Sequence, residues 1–183
     1  MRTSRAGSGG FTLVELTVVI VMMAVLATMI VPRVSGSARS ARLREDAARM
    51  LTAARYARNY AITHRCVCRL VLDPTDGQYV LEYEPQPEEQ PGQFAPLTGA
   101  MGKARRLEEG VGFGGVRIEP SRGRAGRDNA VSFSPTGQSD AAVVELTDGR
   151  RTISLVLIGS SGRAALVDGT VRRPPDDRRD LDA

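Results

Sequence analysis

Hydrophobic and polar positions follow three different rhythms along the chain. From Phe11 to Val31 nearly every residue is apolar and one, Glu15, is charged. As a helix this run spans roughly 31 Å at about 1.5 Å per residue, the thickness of a bilayer's hydrocarbon core. From Gly36 to His64 the apolar residues recur at threes and fours (Leu43, Ala47, Met50, Leu51, Ala54, Ala57, Ala61, Ile62). That spacing predicts an amphipathic helix whose narrow Ala-rich stripe suits close packing on a sheet. Pro32, between the two runs, is expected to bend the long helix, because it removes one backbone donor and clashes with the preceding turn. Beyond Arg65 the period changes to two. Cys66–Asp73 and Gln78–Glu84 read as a hairpin about a Pro-Thr-Asp-Gly turn, and five further strands are expected at 111–119, 130–134, 141–147, 152–158 and 163–167. The predicted fold class is α+β: a long N-terminal helix, membrane-spanning in its first half and amphipathic in its second, packed on an antiparallel β-sheet or sandwich.

Composition narrows the functions open to such a chain. Hydrophobic residues make up 42% of its 183 residues, enough for a packed core, but only 4% are aromatic and there is no Trp. Stacking platforms for single-stranded nucleic acid are therefore scarce. The net charge of +4 arises from basic and acidic residues that are interleaved, as in RLRED and PPDDRRD. This reads as a solvated mixed surface rather than a nucleic-acid footprint. Two cysteines, Cys66 and Cys68, are too few for a disulfide framework and are expected as unbridged, buried strand residues. A Cys-x-Cys site completed by His64, the lone histidine, lacks an obvious fourth ligand, so no metal and no cofactor is assigned. Gly110-Val-Gly112-Phe-Gly114-Gly115 satisfies a dinucleotide fingerprint literally. A strand-like VRIEP follows it where the mechanism needs a helix, so a Gly-rich turn is expected instead. Gly-Ser160-Ser161-Gly does not match a nucleophile elbow. No enzyme is expected.

Glu15 needs an explanation. Leu, Ile, Val and Phe each contribute about 0.3 to 0.6 kcal/mol to insertion, against a cost of roughly 3 kcal/mol for a central acidic group. Insertion therefore survives the carboxylate, but survival does not account for it. A cleaved secretory signal ending near Ala27 would follow a basic start, here Arg2 and Arg5, yet its apolar region would be long and would contain Glu15. An uncleaved signal anchor also leaves Glu15 and the Gly9-Gly10 pair unexplained.

The stretch Gly10-Phe-Thr-Leu-Val-Glu-Leu16, followed by about twenty apolar residues and Pro32, resembles the class III signal of type IV pilins and type II secretion pseudopilins. The resemblance implies that a prepilin peptidase cleaves between Gly10 and Phe11 and that Phe11 is then N-methylated. Its new α-amine would be positive near neutral pH. Glu15 would neutralise the amine of a neighbouring subunit in a filament of parallel helices, where unpaired charges would be costly, and so set axial register. The stretch ARMLTAARYARNYAITHR, then Val131-Ser-Phe-Ser-Pro-Thr-Gly137 and Ile158-Gly-Ser-Ser-Gly162-Arg163, is similar to the GspH/FimT family of minor pseudopilins. The chain would accordingly divide into a cleaved leader (1–10), a transmembrane or filament-core helix (11–34), an amphipathic helix half (35–65), a β-rich globular domain (66–169) and a mobile tail (170–183). The loop from Pro85 to Asn129 departs from the pattern.

Arg33, Arg39, Arg42 and Arg44 outnumber the basic residues before the span, which by charge count leaves the carboxyl side cytoplasmic. Long domains translocate largely regardless of charge, and the resemblance implies a periplasmic domain on a single inner-membrane span. The partners it implies are other major and minor pseudopilins, the prepilin peptidase, the inner-membrane assembly platform and the membrane. A FimT-like minor type IV pilin, serving pilus assembly or DNA uptake, is the alternative. Arg172, Arg173, Arg178 and Arg179 could neutralise phosphates, but Asp176, Asp177, Asp180 and Asp182 argue against it. A membrane-anchored enzyme or receptor is the third reading.

Overall fold

One helix, α1, runs from Leu13 to His64. The computed structural model describes residues 12–120 and 129–174, the side chains of 27–37 excepted. The chain divides into two compact units between Ala38 and Arg39. In the second unit α1 buries Leu43, Ala47, Met50, Ala53, Ala54, Ala57 and Ala61, the stripe expected from the spacing with Ala53 added and Leu51 only partly buried at its edge. Ile62 falls off it, 39% exposed. The helix closes on a two-residue overshoot in which the Cys66 N–H donates to Ala61 O at 3.2 Å while Arg65 takes φ 52. That is a Schellman cap with arginine at a position that favours glycine.

Nine strands follow among the described residues. β1 (Cys68–Asp73) and β2 (Gln78–Tyr83) form the expected hairpin, and its turn is fixed by Asp73 Oδ1, which accepts the N–H groups of Thr75 and Asp76 at 3.1 Å each. Two-residue strands β3 (Ala95–Pro96) and β4 (Arg105–Arg106) flank a 3₁₀ turn at Gly99–Gly102. Then come β5 (Gly112–Glu119), β6 (Ala130–Phe133), β7 (Ala141–Thr147), β8 (Thr152–Ile158) and β9 (Arg163–Asp168). One sheet has the order β3-β2-β1-β6, with β4 also paired to β2; the other has the order β5-β7-β8-β9, and every pairing is antiparallel. Asp140 joins them, accepting the Ser132 N–H at 2.8 Å through Oδ2 and donating its own N–H to Ser132 O at 3.0 Å.

β1 alternates as a half-buried strand should, with Cys68, Leu70 and Leu72 turned into the core shared with α1. Cys66 and Cys68 are both free and buried. Burial pushes the Cys68 thiol up to about 12, which leaves it protonated and inert. β7 and β8 are buried on both faces. Ala142, Val144, Leu146, Ile153, Leu155 and Leu157 enter the helix-side core. On the opposite face Arg117 of β5 pairs with Glu145 and donates to Val171 O at 2.5 Å, and the Ser154 hydroxyl donates to Gly169 O at 2.6 Å. The chain after β9 thus returns over this face as far as the buried Pro174. Residues 170–174, the first of the tail expected to be mobile, are held there; 175–183 lie outside the described residues.

Candidate assembly surface

Thr12 starts α1. Its Oγ1 accepts the Glu15 N–H at 3.3 Å and its carbonyl accepts the Leu16 N–H at 3.2 Å, which makes Thr12 the N-cap and Glu15 the third helical residue. Thr-x-x-Glu is the spacing of a capping box, and a carboxylate in the first turn also complements the helix dipole. The Thr12 half of that box is formed, and the Glu15 carboxylate stands in the first turn, where it favours the helix's positive end. The large apolar residues around it are exposed: Leu13 79%, Val14 69%, Leu16 58%, Val19 44%, Met23 67% and Leu26 58%. Consecutive residues point to every side of a helix, so this part of α1 has no polar face. A helix apolar all round is stable only inside a protein assembly or a membrane.

Among the described residues no helix is long and apolar enough to cross a membrane; the rest of the apolar run, 27–31, falls where side chains are not described. Gly10 and Phe11 also lie outside the described residues. Pro32 falls within α1 rather than ending it, with its ring outside the described side chains.

The motifs of the globular half converge on one arginine. Arg58 of α1 donates through Nε to Gly137 O and to Ser161 O, each at 3.0 Å. This joins the Ser134–Gly137 turn and the Gly-Ser-Ser-Gly turn to the helix. Gly162 is required there: at φ +60, a Cβ would stand 2.2 Å from Gly137 O. No local pattern marks the clamp, since its partners are carbonyls 79 and 103 residues away. Nearer the start of this unit, buried Asp46 accepts the Glu108 N–H at 2.8 Å beside Arg49. Burial raises its carboxyl above the usual range, against the opposing hydrogen bond from Glu108.

The enzyme-like patterns resolve into framework. Gly112–Gly115 lie inside β5, which has a bulge between Phe113 and Gly115 and continues as a strand to Glu119, so no helix starts at these glycines. Ser161 supplies a carbonyl to the Arg58 clamp, and His64 lies on the Tyr60 ring, centroids 4.1 Å apart. Among the described residues no group of three or more His, Cys, Asp or Glu is placed to hold a metal ion.

A helix that is apolar on every side in its amino-terminal part and packs with antiparallel sheets in its carboxyl-terminal part defines a pilin-like subunit. The sequence profile described as type II transport protein GspH matches residues 46–169. That is more than half of the chain, which therefore belongs to the GspH family, whose members are structural and associated with the cell envelope. The fold is similar to a crystal structure of the minor pseudopilin EpsH from the type II secretion system of Vibrio cholerae, with a TM-score of 0.56 at 8% identity over 71% of this chain and 96% of that one. A second structure of the same Vibrio cholerae pseudopilin aligns with a TM-score of 0.50 at 8% identity over 69% of this chain and 95% of the other. No curated protein sequence matches the chain.

Proposed function

We propose that the chain is a minor pseudopilin, a structural subunit of the type II secretion pseudopilus that supports protein export. The observation that carries this reading is the joining, in one helix, of a GspH-type domain to an amino-terminal run exposed and apolar on all sides. Its mechanism is assembly. A prepilin peptidase removes residues 1–10 and leaves the Phe11 amine, subsequently methylated. The apolar run rests in the inner membrane with the β-rich domain in the periplasm, and the assembly platform moves the subunit into a helical bundle with the other pseudopilins. There Glu15 meets a neighbour's Phe11 amine, an attraction strengthened by the apolar surroundings. The capping geometry supports this, because Thr12 holds the first turn in shape one residue after the new amino terminus. No bond chemistry belongs to the chain.

Intact mass of the membrane-extracted protein tests the proposal. The mass should correspond to a chain starting at Phe11 with one added methyl group, and replacing Gly10 with a bulkier residue should block maturation. A start at Thr28, or an untouched Met1, would overturn it.

A further inference from the structure

Two buried carboxylates tie α1 to the β domain, and their surroundings differ. Asp148 receives the N–H groups of Arg150 and Arg151 at 2.8 and 2.7 Å and the Ser40 hydroxyl at 3.5 Å. Its charge is well supported. Asp46, 3% exposed, receives the Glu108 N–H at 2.8 Å, and the guanidinium beside it, Arg49, is shared. Arg49 lies 2.5 Å from Glu45, 3.1 Å from Glu108 and 3.5 Å from Asp46. Three carboxylates thus converge on one cation, and the buried one is the farthest from it.

Neighbouring elements do not repair the deficit. Tyr79 of β2 is buried and uncharged, burial holding its phenol above the usual value, and the exposed Arg105 of β4 makes no ion pair with Asp46 among the described residues. Water screens Glu45 and Glu108, so a proton relieves the most repulsion at Asp46. Burial, the largest influence, raises its carboxyl; the Glu108 N–H and Arg49 oppose this, the Glu108 and Glu45 carboxylates add to it, and the net direction is up. The bond from Glu108 fastens a specific piece of chain. Leu107 is buried, the Glu108 carbonyl accepts the Val111 N–H at 2.9 Å, and the Glu109 carbonyl accepts Arg42 at 3.2 Å. Residues 107–111 are therefore held on α1 by Arg42, Asp46 and Arg49, which follow one another at about one helical turn.

We infer that this segment is a proton-operated clip, which opens more readily while Asp46 is charged and closes on α1 when Asp46 takes up a proton from solvent. The neutral carboxyl still accepts the Glu108 N–H through its carbonyl oxygen, so the tie survives while the repulsion from Glu45 and Glu108 is removed. A folded pKa raised above the unfolded one contributes stability that is complete below the ordinary carboxylate value and is lost as pH rises through the folded value. The clip therefore tightens on acidification, where the Asp148 tie weakens. It is formed within one subunit and does not depend on assembly into a filament.

Nuclear magnetic resonance of the isotope-labelled full-length chain in a neutral detergent reads the charge and the clip separately. The carboxyl-carbon resonance of Asp46 should titrate with a midpoint above the ordinary aspartate value of about 3.9. Glu108→Gln removes one like charge and frees Arg49 for Asp46, so it should bring that midpoint down. Amide exchange, corrected for the intrinsic rate at each pH, reports opening: protection of the Glu108 and Val111 N–H groups should rise about threefold or more as pH falls from about 7 to about 4.5. Asp46→Asn, neutral and still an acceptor, should show the closed-state protection at both ends of that range. The clip is overturned by an Asp46 midpoint at or below the ordinary value, by a midpoint indifferent to Glu108→Gln, or by a gain in protection that persists in Asp46→Asn. The first two readings need no substitution at Asp46 itself.

Discussion

Gly162→Ala and Gly149→Ala form a matched pair of perturbations. Both glycines have positive φ, +60 and +84, but a Cβ at Gly149 meets nothing within 4 Å, whereas one at Gly162 would stand 2.2 Å from Gly137 O and 3.0 Å from Arg58 Nε. Each substitution carries the left-handed backbone penalty, about 1 kcal/mol. Gly162→Ala must also displace a backbone carbonyl and loosen the two Arg58 hydrogen bonds. The single Nε–H is shared between the two carbonyls; a bond to a charged group is worth about 1.5 to 3 kcal/mol, and with screening at this part-buried arginine the shared bond and the displaced carbonyl together come to roughly 2 to 3 kcal/mol. The expected losses are therefore about 3 to 4 kcal/mol for Gly162→Ala and about 1 kcal/mol for Gly149→Ala. For a domain of this size that is a fall in Tm of roughly 6 to 16 °C against roughly 2 to 4 °C. Thermal and urea unfolding of a version beginning at Gly36, followed by circular dichroism, measures both. In an Arg58→Met background the extra cost of Gly162→Ala should shrink, because the two changes act on one contact. Equal losses at the two glycines, or strict additivity with Arg58→Met, would refute the clamp.

Glu15→Leu should abolish crosslinking of the subunit to other pseudopilins in membranes at equal expression, and Glu15→Gln, which keeps an acceptor for the capping box but no charge, should do the same. Wild-type crosslinking in Glu15→Gln would show that capping, not charge pairing, is the role of the residue. The N–H groups of Arg151 and Arg150 hold the Asp148 carboxyl below the usual carboxylate range. A depressed folded pKa contributes stability above the unfolded value and loses it as pH falls through the folded one. Asp148→Asn should therefore be less stable at pH 7 and lose less as pH falls below the ordinary carboxylate range in acid titration of unfolding. Deleting residues 170–183 removes the Val171 carbonyl from Arg117 and uncovers one face of β7 and β8, at an expected cost of about 1 to 3 kcal/mol. Deleting 175–183 alone should leave the melting temperature where it is; equal effects from the two deletions would count against the strap.

Seven of the strands were legible because alternation and Gly, Asp and Pro turns carry their signal locally. Their ends agree with the spacing to within two residues. β3 and β4 were not legible, since two residues are too few to show a period. The helix stripe was readable from Leu43 to Ala61, but Ile62 satisfied the same spacing and lies outside it: a count of threes and fours cannot say where a stripe ends. Thr12-x-x-Glu15 has the spacing of a capping box, a short polar signal at the edge of a long apolar run. The Arg58 clamp and the return of residues 169–174 over β7 and β8 depend on contacts between distant segments and left no local mark.

The face that α1 turns to the core is built mostly of alanine, so the helix lies close to the sheets with little side-chain interlocking to stop it sliding lengthwise. Resistance to such sliding falls to the polar ties strung along the helix: Ser40 to Asp148 at 3.5 Å, Arg42 to the Glu109 carbonyl at 3.2 Å, Asp46 to the Glu108 N–H at 2.8 Å and Arg58 to its two carbonyls at 3.0 Å. They are spread over about 27 Å of helix. Were the subunit drawn out of a bilayer by its amino-terminal end, as the proposed assembly requires, the load would run along that axis, and ties spread in this way would share it in shear instead of failing one after another. They act as rivets on a smooth seam, which lets a helix with an alanine face carry tension into a β domain without being drawn out of it.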